Sequence, residues 1–150
     1  MKIDGQCHCG ALKFEAEAES NRFSICHCLD CQTMSSSAFS AALMVPIEKF
    51  RLISGNPQIY VKKTAASGIE NLSAFCPTCG TRIYSCPVVS PREVRIRVGT
   101  INQRSSLMPA RQIWRRSALC WIEDIGRIPS FDENPSGSLN RAQVEAKEQN

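Results

Sequence analysis

Seven of the nine cysteines fall in three short clusters that lie far apart in the chain. They read Cys7-His8-Cys9-Gly10, Cys26-His27-Cys28-Leu29-Asp30-Cys31 and Cys76-Pro77-Thr78-Cys79-Gly80. Thiols at such spacings converge on metal ions, and seven divide naturally into four plus three. Four thiolates close a tetrahedral zinc site; three leave one coordination position open. A chain with these clusters must bring distant segments together, which suits a small domain stapled by metal.

Residues i and i+2 of a strand face the same way, so a C-x-C pair presents two thiolates on one side and its histidine, His8 or His27, on the other. The C-P-x-C-G pattern predicts a tight turn with backbone N–H groups aimed at sulfur and Gly80 free to take a positive φ. Cys7, Cys9, Cys76 and Cys79 are therefore assigned to a closed structural zinc that ties an N-terminal strand to a central hairpin. Cys26, Cys28 and Cys31 remain, in one segment. A zinc on three thiolates is a weak Lewis acid, better suited to holding a thiolate than to generating hydroxide, which points to sulfur chemistry. An internal fourth ligand, His27 or His8, would make this second site structural as well, although strand geometry turns His27 away. The two remaining cysteines, Cys86 before Pro87 and Cys120 in the run Ala118-Leu119-Cys120-Trp121-Ile122, read as buried small apolar residues.

The 150 residues, 43% of them hydrophobic, support one domain with a modest core, expected over residues 1–132. The opening Met1-Lys2-Ile3-Asp4-Gly5 has no apolar signal region, and no stretch is apolar for long enough to cross a bilayer. The expectation is a cytoplasmic chain with reduced thiols and no membrane partner; an odd count of nine cysteines also fits poorly with a complete disulfide set. The formal charge is +4, and seven thiolates on two Zn²⁺ would bring it to about +1. The pI of about 8.6 is thus a weak argument for nucleic acid, and that partner is not expected.

The chain predicts many short strands. Leu12, Phe14 and Ala16 alternate with Lys13 and Glu15, and Val94, Ile96 and Val98 alternate with Arg95 and Arg97. Further strands are expected at Phe23-Ser24-Ile25, residues 39–45, Phe50-Arg51-Leu52-Ile53, Ile59-Tyr60-Val61 and Gln112-Ile113-Trp114. Residues 71–75 and 81–85 should form a hairpin around the third cluster. Turn signals such as Ser54-Gly55-Asn56-Pro57 separate these segments, and no long 3.6-residue apolar stripe occurs, so a mainly β fold is expected. Thr33-Met34-Ser35-Ser36-Ser37 and residues 64–68 read as loops. Residues 133–150 form a polar tail in which 139–150 could make an exposed helix with little to bury.

The ordered motifs resemble a known family. Gly5, Cys7, Cys9 and Gly10, then C-H-C-x-x-C, then Phe75-Cys76-Pro77-Thr78-Cys79-Gly80-Thr81 are similar to the glutathione-dependent formaldehyde-activating enzyme family, which includes the centromere protein V domain. Ser37-Ala38-Phe39, Gly99-Thr100-Ile101-Asn102, the run 118–122 and Ile128-Pro129-Ser130-Phe131 extend the likeness over residues 3–132. The resemblance implies a β-tent zinc fold of short antiparallel strands, with two zinc ions per chain divided four plus three. It also implies a carbon–sulfur lyase-type activity that condenses formaldehyde with glutathione to S-(hydroxymethyl)glutathione, with Cys26, Cys28 and Cys31 holding the catalytic zinc. The chain departs from the usual pattern at Thr33-Met34-Ser35-Ser36, where a basic residue and a glycine are common. It departs again at Asn102, usually aspartate, and at Gln112, often histidine.

An enzyme of this kind needs cations for the carboxylates of its thiol, and Lys62, Lys63, Arg82 and Arg111 are the candidates. A non-catalytic thiol-binding or macromolecule-docking module is the alternative, with Arg111, Trp114, Arg115 and Arg116 as its basic and aromatic cluster. A zinc store or redox sensor built on the three-cysteine site is a third reading.

Overall fold

The computed structural model describes residues 1–63 and 68–134. Met1–Leu119 form one compact unit, and a second begins at Cys120. The first unit is mainly β, as expected. Its strands are β1 (Lys2–Gln6), β2 (Lys13–Glu17), β3 (Phe23–Cys26), β4 (Ser40–Pro46), β5 (Phe50–Ser54), β6 (Gln58–Lys62), β7 (Asn71–Phe75), β8 (Arg82–Pro87), β9 (Glu93–Arg97) and β10 (Arg111–Ile113), with the helix α1 (Leu29–Ser35) between β3 and β4.

Strands β1, β2 and β5 make a small antiparallel sheet, and the other seven form a second sheet in the order β10-β3-β4-β9-β8-β7-β6. All neighbours in the larger sheet are antiparallel except β10, which runs parallel to β3. Alternation decides which face each residue takes. Leu43, Val45, Val94 and Ile96 turn one way and are at most 1% exposed, while Ala42, Met44, Arg95 and Arg97 turn the other way. The apolar face packs with Ile3, Phe14, Ile83 and Ile101 into a single core. Phe50 joins the sheets, with its ring 5.9 Å from Phe14 and 4.9 Å from Tyr84.

Gly5 explains how tightly the small sheet is held. A Cβ there would lie 2.2 Å from the Thr100 carbonyl oxygen and 2.4 Å from the Phe14 ring, and Gly5 also bridges to Ile101. The expected N-terminal strand is β1, which ends at Gln6, before the first cysteine pair, and whose inward positions are Ile3 and Gly5.

Four local expectations need correction. The expected loop at Thr33-Met34-Ser35 is the second half of α1. This helix buries no residue, so it shows no stripe; the Cys28 sulfur caps it, and Ser36 closes it at a left-handed φ of +50°. The strand expected to reach Val98 stops at Arg97, because Val98–Thr100 tighten into a 3-10 turn. Neither C-x-C pair lies on a strand. Cys7 and Cys9 follow β1 in a turn, while Cys26 ends β3 and Cys28 caps α1. Finally, Cys86 is buried as expected, but Cys120 is exposed. It opens a 3-10 segment, Cys120–Arg127, that buries no residue and leaves Trp121 and Ile125 about half exposed.

The expected loop at 64–68 falls largely on 64–67, and the expected tail helix falls on 139–150; both lie outside the described residues. No helix among the described residues is long and apolar enough to cross a membrane.

Candidate functional site

The first and third cysteine clusters meet as two facing turns. In one, Gly10 N donates to Cys7 O at 3.0 Å, and Leu12 N donates to the Cys7 sulfur at 3.2 Å. In the other, Cys76 N donates to Thr81 O and Gly80 N to Cys76 O, both at 2.9 Å, with Gly80 at φ +71° as its place in the motif predicts. His8 N donates to Thr81 Oγ1 across the pair at 3.2 Å. The sulfurs of Cys7, Cys9, Cys76 and Cys79 all lie within 4.8 Å of one another. Cys7–Cys9 and Cys9–Cys76 separations of 3.5 and 3.7 Å compare with about 3.8 Å for two thiolates on a tetrahedral zinc.

The second group is local. Cys26 ends β3, Cys28 caps α1 and Cys31 lies in its first turn, and their sulfurs also gather within 4.8 Å. Cys31 N donates to the Cys28 sulfur at 3.3 Å. No histidine or carboxylate joins either cluster among the described residues. His27 turns away as expected, although it lies between β3 and α1 rather than on a strand. Its ring is 1% exposed, Nε2 donates to Gln112 Oε1 at 2.9 Å, and Phe39 packs edge-on at 5.7 Å.

The thiols in each group compete for charge. A hydrogen bond from Cys31, with further ones from the Cys28 backbone and side chain, holds Cys26 down at about 6, while Cys26, burial and Cys28 push Cys31 up. In the four-sulfur group, hydrogen bonds from the Thr81 side chain and backbone hold Cys79 at about 5. Cys9 accepts from the Ala11 backbone, yet the neighbouring Cys7 and Cys79 thiols push it up to about 12. Thiolates crowded this closely repel one another, and a divalent cation removes the conflict by charge. Both donor sets, with N–H groups already on sulfur, fit a thiophilic metal.

Cys26, Cys28 and Cys31 line a cleft of about 1350 Å³. Its floor is the polar face of the larger sheet, and six cations stand around it: Lys62, Arg82, Arg95, Arg97, Arg111 and Arg116. The single acid in its lining, Asp30, is paired with Lys62 at 2.7 Å. The five arginines have no carboxylate partner among the described residues. Arg82 donates to Ser73 Oγ at 2.9 Å and Arg95 to Asn71 Oδ1 at 3.3 Å. Half-buried Arg97 is held by Ser40 Oγ and, at 3.3 Å, by Ser85 Oγ. Burial lowers its guanidinium pKa, Arg82 and Arg95 lower it further, and the nearby Cys31 and Cys26 thiols offset this only in part. Arg116 lies 4.7 Å above the Trp114 ring.

Lys62, Arg82 and Arg111 were expected here from sequence, and Lys63 is outside the lining. Arg95 and Arg97 were legible as a strand's polar face, but nothing local said that this face is a cleft. The segment carrying Arg111 and Arg116 is latched beside the three thiols. His27 N donates to Ile113 O at 3.1 Å, and the Gln32 amide nitrogen donates to His27 O and Ser117 O, both at 2.7 Å.

The crystal structure of a Rhodobacter sphaeroides protein, a structural-genomics target, is similar to 73% of this chain and 98% of its own, with a TM-score of 0.55 and 22% identity, which shows a shared fold. The family model for the glutathione-dependent formaldehyde-activating enzyme matches residues 2–117, a span that contains both sulfur clusters and every cation of the cleft. By that match the chain belongs to the glutathione-dependent formaldehyde-activating enzyme family.

Proposed function

We propose that the chain binds two Zn²⁺, one closed by Cys7, Cys9, Cys76 and Cys79, and one held by Cys26, Cys28 and Cys31 with a position left for substrate. At the second site it adds a glutathione-like thiol to a small aldehyde, or releases it, as a carbon–sulfur lyase in a reducing compartment such as the cytoplasm. One observation carries this reading: a cluster of three sulfurs, without a fourth protein ligand among the described residues, opens onto an arginine-lined cleft.

Zinc bound there would hold the incoming thiol as its thiolate. The chain itself binds and orients. Its arginines suit the carboxylates of the thiol, and the small residues Ser24, Ser40 and Ala42 leave room for its backbone. Addition forms one carbon–sulfur bond and moves the carbonyl electron pair onto oxygen, which takes up a proton to balance the one the thiol gives up on becoming thiolate. Arg97, fixed by two hydroxyls near Cys26 and Cys31, places positive charge where that oxygen becomes negative.

Zinc content per chain, with and without glutathione, tests the reading. Wild type should hold two zinc ions and bind glutathione; Cys28→Ser should stay folded with about one and lose glutathione binding; Cys79→Ser should unfold, because a four-thiolate site contributes folding energy outright. One zinc per chain in wild type, unaffected by Cys28→Ser, would defeat the proposal.

A further inference from the structure

The cleft has a second kind of lining that thiol binding does not use. Ile113 pairs in register with Cys26, and Trp114 follows it. Leu29 follows Cys28 as the first residue of α1, and Met34 lies three residues after Cys31 on the same helix. Phe39 precedes Ser40, the cross-strand partner of Cys26. All five side chains line the cleft. None of them is core: Leu29 is 69% exposed, Ile113 and Trp114 are each 41% exposed, and Met34 and Phe39 are half-buried. Large apolar side chains left in contact with water inside a concave site mark a surface that a ligand covers. The chain that presents them is held in place. His27 N donates to Ile113 O, and the Gln32 amide ties His27 O to Ser117 O. Trp114 keeps a left-handed φ of +60°, uncommon for a bulky residue, with Arg116 packed on its ring.

We infer that the aldehyde carries an apolar body, an alkyl chain or an aromatic ring, and that Leu29, Met34, Phe39, Ile113 and Trp114 receive it. This rests on the thiol-addition reading above and adds what that reading leaves open, the class of aldehyde. Formaldehyde has no carbon beyond the carbonyl, so it gains nothing from such a wall. The carboxylates of the thiol account for the arginines and leave the apolar wall to the other reactant. Bond formation places the carbonyl carbon next to the sulfur held among Cys26, Cys28 and Cys31. Its substituent then starts beside residues that adjoin those three cysteines in sequence or in register. The chemistry is the same addition: the sulfur bonds to the carbonyl carbon, the thiol proton ends on the carbonyl oxygen, and nothing else is consumed. Each methylene taken from water onto the wall strengthens binding about threefold. That interaction is made away from the reacting atoms and serves to orient the carbonyl.

Propanal, butanal and hexanal differ in chain length but hardly in carbonyl reactivity, so with glutathione and the zinc-loaded protein they isolate the wall. Exchange NMR gives the catalysed kcat/KM for each, to be divided by the spontaneous rate constant. That ratio should rise about tenfold from propanal to hexanal in wild type. Leu29→Ser and Ile113→Ser should each remove most of the rise; both side chains are exposed, so neither substitution empties the core. Calorimetry supplies a readout that needs no turnover. S-hexylglutathione should bind wild type about tenfold more tightly than S-methylglutathione, and the two should bind Ile113→Ser within about twofold of each other. A flat or falling series in wild type overturns the inference and leaves thiol addition standing. So does a chain-length preference that both variants retain, which is the mark of apolar adhesion elsewhere on the protein. No acceleration with any of these aldehydes or with formaldehyde overturns the thiol-addition reading and this inference with it.

Discussion

Asn102 departs from the aspartate usual in the family, and Asp4 shows what an amide does there. The Asn102 side chain donates to one Asp4 oxygen, and Gln103 donates to the other at 2.6 Å. These bonds, Gln103's first, hold the Asp4 carboxyl below its ordinary 3.8. A carboxyl lowered in the folded state contributes stability above its unfolded value, and that stability is lost as pH falls through the folded value. Asn102→Asp would replace a donor with a second carboxylate, so the Asp4 midpoint should rise. The variant's stability deficit should be greatest at neutral pH and shrink as pH falls below about 4. An NMR titration of the Asp4 carboxyl checks this; an unmoved midpoint would disprove it. Gln112 is the companion departure. It receives the His27 ring N–H, so the buried imidazole keeps a partner without a second histidine.

At the scale of elements, the Gln32 latch holds the segment carrying Arg111 and Arg116 in place. Its amide nitrogen serves two carbonyls, one beside the thiols and one after Arg116. Gln32→Leu removes both bonds and should cost about 1–3 kcal/mol. Backbone hydrogen exchange should quicken at His27 and Ser117 and stay unchanged in β7 and β8. Uniform change across the sheet would show that Gln32 serves global stability instead. Helix α1, which carries Gln32, was the element hardest to read. It is seven residues long and buries nothing, so it offers no periodicity. The longer strands were easier, because one buried face writes its alternation into the sequence.

For the whole molecule, the critical joint lies between the small sheet and the segment after β9. Asp4 O accepts from Asn102 N at 2.9 Å, and Gly5 pairs with Ile101. Gly5→Ala drives a methyl group into the Thr100 carbonyl and the Phe14 ring, with backbone on one side unable to yield. The expected cost is about 2–3 kcal/mol. Urea unfolding should show a lowered midpoint with an unchanged slope. A midpoint equal to wild type would mean that β1 adjusts freely and that the joint is loose.

The sequence by itself determined which cysteines gather, four in one group and three in another, the mainly β class and the two-residue alternation that puts Arg95 and Arg97 on one face. Each of these is a local property, set by spacing along a few residues. Tertiary structure alone decided that this face is a cleft. Strand β10 adds to β3 in parallel across a long stretch of intervening chain, and that pairing carries no local mark. It brings Arg111 and Arg116 to one side of the sulfurs while β9 brings Arg95 and Arg97 to the other. Residue periodicity states which side of its own strand an arginine occupies; only sheet order states which other arginine it faces.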